Sequence, residues 1–149
     1  MTDQINISTR RKSRTMAMQA LYQWAMSGDE LQSIEAQYFE HNNLAKVDVE
    51  YFRDILFGVP KFLNEIDTAI SQNIDRNLTE INPIELAVLR VATFELLKRL
   101  DIPYKVVIKE ALNLAMSFGS SEGHKFVNGV LDKVAKQVRT VEIQSNPNG

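Results

Sequence analysis

The sequence predicts an all-α fold, a compact bundle of six or seven helices, on three observations. Apolar residues recur with a period near 3.6 along almost every segment, the signature of helices with one face against a core. No stretch alternates apolar and polar residues convincingly in the manner of a strand. Start and stop signals fall where that periodicity begins and ends.

The elements follow in order. In the first helix, residues 8–24, Met16, Ala17, Ala20, Leu21 and Trp24 gather on one face, and Gly28-Asp29 ends it. A shorter helix runs from Leu31 to His41, with Leu31, Ile34 and Tyr38 at spacings of three and four; Asn42-Asn43 stops it. Asp48 caps a long pattern of Val49, Phe52, Leu56, Val59, Leu63, Ile66, Ile70 and Ile74. Pro60 interrupts that pattern and predicts two helices, or one sharply bent helix, over 48–74. In "NPIE", Asn82 can accept from free amides, Pro83 suits the first helical position, and Glu85 can fold back on the cap. The helix behind it, 84–100, is apolar nearly all round and therefore central. Pro103 opens a helix carrying Val107, Ile108, Ala111, Leu112 and Ala115, and Gly119 stops it. Ser120 or Ser121 caps the last helix, whose core face holds Val127, Val130, Leu131, Val134 and Val138. The expectation is one helical domain over 1–140 with a basic N-terminal segment, then a flexible polar tail over 141–149.

Composition bounds the function. The chain has 149 residues, 44% of them hydrophobic and 24% charged, as in an ordinary soluble globular domain. Charges break the apolar stretches too often for a membrane span, and the N-terminus lacks the apolar core of a secretory signal. The absence of cysteine excludes disulfides and thiolate chemistry, and is compatible with a cytoplasmic location. There is no phosphate-cradling glycine loop and no dinucleotide turn. His41 and His124 are too far apart in sequence, and too poor in paired carboxylates, to suggest a metal site. His41 reads as a helix-end cation and His124 as a surface residue. Nothing points to catalysis, a metal or a cofactor, so function must be sought in binding.

Charge supplies the lead. The net charge is −2, yet Arg10, Arg11, Lys12 and Arg14 place four positive charges in five positions, which leaves −6 on the rest. Such clustering points to a local polyanion contact, and a solvated helix start is the simpler alternative. On a helical wheel Arg11, Arg14, Met18 and Tyr22 form one stripe beside the apolar face. Arginines hold phosphates and a tyrosine ring offers a stacking surface, a combination suited to single-stranded RNA more than to a duplex groove. As readily, Tyr22 is a half-buried rim residue. A second cluster, "SFGSSEGHKFVNGVLDK", puts Lys125 and Phe126 at a helix start, where free amides and the dipole attract anions. The helical pair Asn128-Gly129 suggests close packing of a neighbouring backbone, or else a contact surface.

With these residues in hand, the chain resembles the NusB family of bacterial transcription antitermination factors. The stretches that carry the resemblance are "RRKSRTMAMQALYQW", "VDVEYFRDILFGV", "NPIELAVLRVATFELLKR", "DIPYKVVIKEALNLAMSFG" and "HKFVNGVLDK", which span residues 10–133. Pro60 has no place in the family pattern. The resemblance implies binding to boxA, a single-stranded element of nascent ribosomal RNA, together with the ribosomal protein NusE. It also implies joining a transcribing RNA polymerase complex that suppresses early termination. It assigns the RNA surface to Arg10, Arg11, Lys12, Arg14, Tyr22, Phe118, Glu122, Lys125 and Phe126, split between both ends of the chain. The protein partner would meet an acidic surface at Glu80 and Glu85. Two other readings stand beside it. One is the NusB-like amino-terminal domain of ribosomal RNA cytosine methyltransferases, disfavoured by the expected polar tail where a catalytic domain would follow. The other is a helical adaptor that binds protein alone.

Overall fold

The computed structural model describes residues 3–145, with side chains from residue 7 onward; the end of the expected tail, 146–149, lies outside the described residues. Among the described residues all regular structure is helical: eight α-helices and two short 3₁₀ turns. The chain divides into two compact units, residues 1–61 and 62–149.

The first unit holds α1 (Asp3–Ser27), α2 (Leu31–His41), a 3₁₀ turn at Leu44–Lys46 and α3 (Val49–Lys61). Gly28 ends α1 at φ 74°, a left-handed conformation that glycine adopts without steric cost. Both α2 and α3 pack on α1. This explains why its buried surface, from Ser13 and Arg14 through Met16, Ala17 and Met18 to Ala20 and Leu21, is wider than one apolar stripe. Trp24, expected in that face, is only half-buried. Phe52 of α3 is fully buried, its ring 5.8 Å from Phe39 and 6.3 Å from Tyr38. Ser13 ties α1 to the start of α3: its hydroxyl lies 2.8 Å from the Asp48 carbonyl, and the Asp48 N–H donates to it at 2.9 Å. Asp48 in turn caps α3, accepting from the Tyr51 N–H at 3.1 Å, as its sequence position suggests.

Pro60 sits inside α3, and helix resumes at Leu63, so the pattern over 48–74 resolves into two helices. A proline N cannot donate to the carbonyl four residues back, and its ring crowds that carbonyl; the break follows within two residues.

The second unit holds α4 (Leu63–Ser71), a 3₁₀ turn at Leu78–Glu80, α5 (Pro83–Lys98), α6 (Tyr104–Phe118), α7 (Gly123–Val138) and α8 (Thr140–Ser145). Within this unit α5 is central, with α4, α6 and α7 packed around it. Ala87, Val88, Leu89, Val91, Ala92, Phe94 and Leu96 are all buried, as an all-round apolar helix requires. Asn82 caps it, accepting from the N–H groups of Ile84 (2.9 Å) and Glu85 (3.3 Å). Arg90 and Asp67 join α5 to α4 by two parallel bonds of 3.0 Å, a bidentate geometry.

The other end of α5 is closed by Arg139, which is 4% exposed. Its guanidinium donates to the carbonyls of Glu95 (3.2 Å), Leu96 (2.8 Å), Arg99 (3.0 Å) and Ile102 (2.9 Å). A cation there satisfies carbonyls that a helix end leaves without partners and suits its dipole. Arg139 also pairs with Glu142 at 2.6 Å, and Glu142 accepts from the Tyr104 N–H at 3.0 Å, capping α6. The stretch 140–145, expected to belong largely to the polar tail, is therefore helical and held by side-chain bonds. Local periodicity misses it because its anchor partners lie about forty residues upstream.

Candidate nucleic-acid interface

The first cluster is the start of α1. Arg11 and Lys12 are exposed, and Tyr22, nearly three turns on, is half-buried. Arg10 is partly drawn in: its Nε lies 3.9 Å from an Asp48 carboxylate oxygen and its guanidinium 4.7 Å from the Tyr51 ring centroid. Arg14 corrects the outward stripe expected from the wheel. It is 4% exposed, donates from Nη2 to the Tyr51 hydroxyl at 3.0 Å, and lies 5.2 Å from the same ring. Met18, in the same stripe, is buried as well. Packing of α3 on this side of α1 turns the stripe inward, and a weakly hydrated guanidinium tolerates that burial against an aromatic face. The surface cations of this cluster are thus Arg11 and Lys12, with Arg10 at its edge.

The second cluster spans the end of α6 and the start of α7. Phe118 is 38% exposed at the last position of α6. Glu122 and Lys125 are both exposed and pair with each other at 2.7 Å across one helical turn, a contact that solvent screens. Phe126 is half-buried, with the Arg76 guanidinium 4.8 Å from its ring centroid. The expected anion site at the free amides of α7 is already partly filled: Gly123 N–H donates to the Ser120 carbonyl (3.0 Å) and Lys125 N–H to that of Glu122 (3.1 Å). Neither Ser120 nor Ser121 caps α7; the cap position is Glu122, without a side-chain bond.

What holds this turn in shape is Glu85. Expected on an acidic partner surface and as a reciprocal cap of α5, it is instead 5% exposed and points away from its own helix start. One carboxylate oxygen accepts from the Ser120 N–H at 2.9 Å and from the Ser120 hydroxyl at 2.8 Å. The two glycines of the turn make room for it. A Cβ on Gly123 would stand 2.1 Å from the same oxygen, and one on Gly119 3.0 Å from it. These glycines and Ser120 are legible together only once α5 is known to pack beside the α6–α7 turn. Glu80, the other acidic candidate, is exposed at the end of its 3₁₀ turn and accepts from the Asn77 N–H at 3.1 Å.

Of the two readings of Gly129, close packing does not hold. No backbone packs there; it is exposed, with nothing within 4 Å of where a Cβ would stand. A glycine inside an exposed helix costs about 1 kcal/mol relative to alanine, so this position gives up stability without close packing in return. It lines an open groove of about 460 Å³ with Arg76, Lys125, Phe126 and Lys133, a feature the sequence reading missed. Among the described residues no group of three histidine, cysteine or acidic side chains could hold a metal, and no helix is long and apolar enough to cross a membrane.

Cations and rings thus stand at the helix ends of an all-helical protein, over buried charges that shape the fold. The sequence model of the NusB family matches residues 11–136, and the chain belongs to that family. It is 55% identical to the transcription antitermination protein NusB of Pseudomonas savastanoi pv. phaseolicola, over 92% of this chain and 83% of that one. It is 48% identical to the protein of the same name from Legionella pneumophila strain Corby, over 93% and 94% of the two chains. These relatives are named for a regulatory, non-enzymatic role in transcription. Among solved structures the fold matches T. maritima NusB with a TM-score of 0.74 and 34% identity, covering 86% of this chain and 91% of that one. It also matches a chain from a structure described as the antitermination factors NusB and NusE in complex with dsRNA, at a TM-score of 0.74, 22% identity and 87% and 97% coverage, a likeness of fold alone.

Proposed function

We infer that the protein is an antitermination factor that binds a single-stranded boxA-type element of nascent ribosomal RNA. It does so together with the ribosomal protein NusE, as part of a transcribing RNA polymerase complex in the cytoplasm. The observation that carries the reading is exposed Phe118 and Lys125, with half-buried Phe126, flanking a turn shaped by a buried carboxylate. Aromatic rings beside a cation offer stacking and phosphate attraction to an unpaired strand, and a fixed turn lowers the ordering cost of binding. Arg10, Arg11, Lys12 and Tyr22 add a second set of cations with a ring on α1. Glu122 is acidic, so its part is hydrogen bonding to a base or ribose. The relatives' shared name supports the antitermination reading, and the description of the NusB–NusE structure with dsRNA supports its RNA and NusE parts. For the NusE contact, the buried Glu85 withdraws from the surface and Glu80 remains exposed.

The test is RNA binding by the chain alone and with NusE, comparing boxA with a scrambled RNA of equal length across a salt series. The expected result is preference for boxA, strengthened by NusE, with affinity falling as a power of salt concentration. Equal binding of the two RNAs, or none, would leave a protein-binding adaptor.

A further inference from the structure

The groove lined by Gly129 shares Lys125 and Phe126 with the RNA surface assigned above and extends past them to Arg76 and Lys133. One wall is the segment after α4, Gln72 to Arg76; the other is α7, from Lys125 and Phe126 through Gly129 and Val130 to Lys133. Three cations line it, Arg76, Lys125 and Lys133, against one carboxylate, Asp75. Asp75 touches Arg76 at 3.3 Å but is itself 88% exposed, so the contact is screened. Among the described residues no carboxylate pairs with Lys133. The Arg76 guanidinium already lies over Phe126. A guanidinium held in that way can take a base on its free face or a phosphate on its N–H edge. Gln72 adds an amide group that can bond a base edge, whereas the Asn73 amide N–H groups already donate to the Ala69 carbonyl (2.9 Å) and Gln137 (3.0 Å).

Gly129 is the independent observation. Its lack of a side chain serves no backbone contact, and its effect is to keep the floor of the groove empty. We propose that this groove is a nucleotide subsite. It takes one phosphate and base of the same single strand beyond Lys125 and Phe126, with the phosphate between Arg76 and Lys133 and the base against Arg76. The inference rests on the RNA reading above and extends its footprint.

The experiment is fluorescence-anisotropy binding of boxA RNA over a salt series to the full chain and three variants. In Arg76→Ala/Lys133→Ala the affinity falls on the order of tenfold and the slope of log affinity against log salt becomes shallower by about 0.7, one phosphate's worth on a single strand. In Gly129→Leu the affinity falls while the melting temperature holds or rises, because a side chain fills the groove and the helix gains a better former. Lys136→Ala, on the same helix but paired with Asp132 and outside the groove, leaves affinity unchanged. If the full chain binds RNA but the double variant and Gly129→Leu bind as well as it does, the subsite is wrong and the RNA reading survives. If the full chain binds no RNA, both fall.

Discussion

The start of α1 and the turn between α6 and α7 solve one problem with opposite charges. Each presents exposed charges of the proposed RNA surface, and beneath each lies a buried charged side chain. In the first the ion is Arg14, bound to the Tyr51 hydroxyl inside a cluster of positive charge. In the second it is Glu85, bound to Ser120 beneath a turn that carries Lys125. The difference lies in how each is satisfied. Arg14 has the ring and hydroxyl of a side chain on a neighbouring helix, whereas Glu85 takes backbone as well as side-chain hydrogen, in space that two glycines leave open. A charged residue near a binding surface is therefore not by itself a binding residue; its partners decide.

The largest expected effect comes from reversing the buried carboxylate. Glu85→Lys puts a longer, oppositely charged chain where Gly119 and Gly123 leave room only for a carboxylate. It should cost several kcal/mol, roughly 3 or more, because it buries a cation with no partner and strands the Ser120 donors. A thermal melt reads it, and an unchanged midpoint would return Glu85 to the surface. Two glycines of α7 sharpen the comparison at a smaller scale. Gly123→Ala drives a methyl into the Glu85 carboxylate and should destabilise by about 1–3 kcal/mol, whereas Gly129→Ala, facing open space, should stabilise by about 1 kcal/mol. Urea unfolding of the two variants gives the sign of each. The smallest contrast separates the arginines of α1. Arg14→Ala removes a buried hydrogen bond to the Tyr51 hydroxyl, at a cost of about 1–3 kcal/mol. Arg11→Ala should change stability by no more than about 0.5 kcal/mol while lowering the RNA salt slope by about 0.7. Equal effects of the two on stability would erase the distinction between a buried and a presented cation.

Much of the fold was legible because its signals are local. Asn82-Pro83 starts α5 where its cap chemistry says, Gly28 and Gly119 stop their helices, and the all-round apolar run of α5 marks it as central. Pro60 divides its segment as a mid-helix proline should. The site was less legible because its decisive bonds are not local. Arg14 meets Tyr51 37 residues on, Glu85 meets Ser120 35 residues on, and Arg139 meets Leu96 43 residues back. A helical wheel assigns charged residues to water by default, and a capping box looks only three residues ahead. Either rule gives the wrong side for a charge whose partner comes from another helix. Phe118 and Glu122 came from family resemblance, since no periodicity singles them out.

Arg139 also bears on the order in which the second unit can be completed. The family match ends at residue 136, three residues before the side chain that closes α5. A chain cut at that boundary keeps every matched residue, yet leaves the carbonyls of Glu95, Leu96, Arg99 and Ile102 without their guanidinium. On the ribosome the same condition holds for a time: α5 emerges first and waits for about forty more residues before its end is closed. Synthesis at roughly 5–20 residues per second makes that a wait of seconds. During it α5 is covered by α4, which precedes it in the chain, and by α6 and α7 only as they emerge.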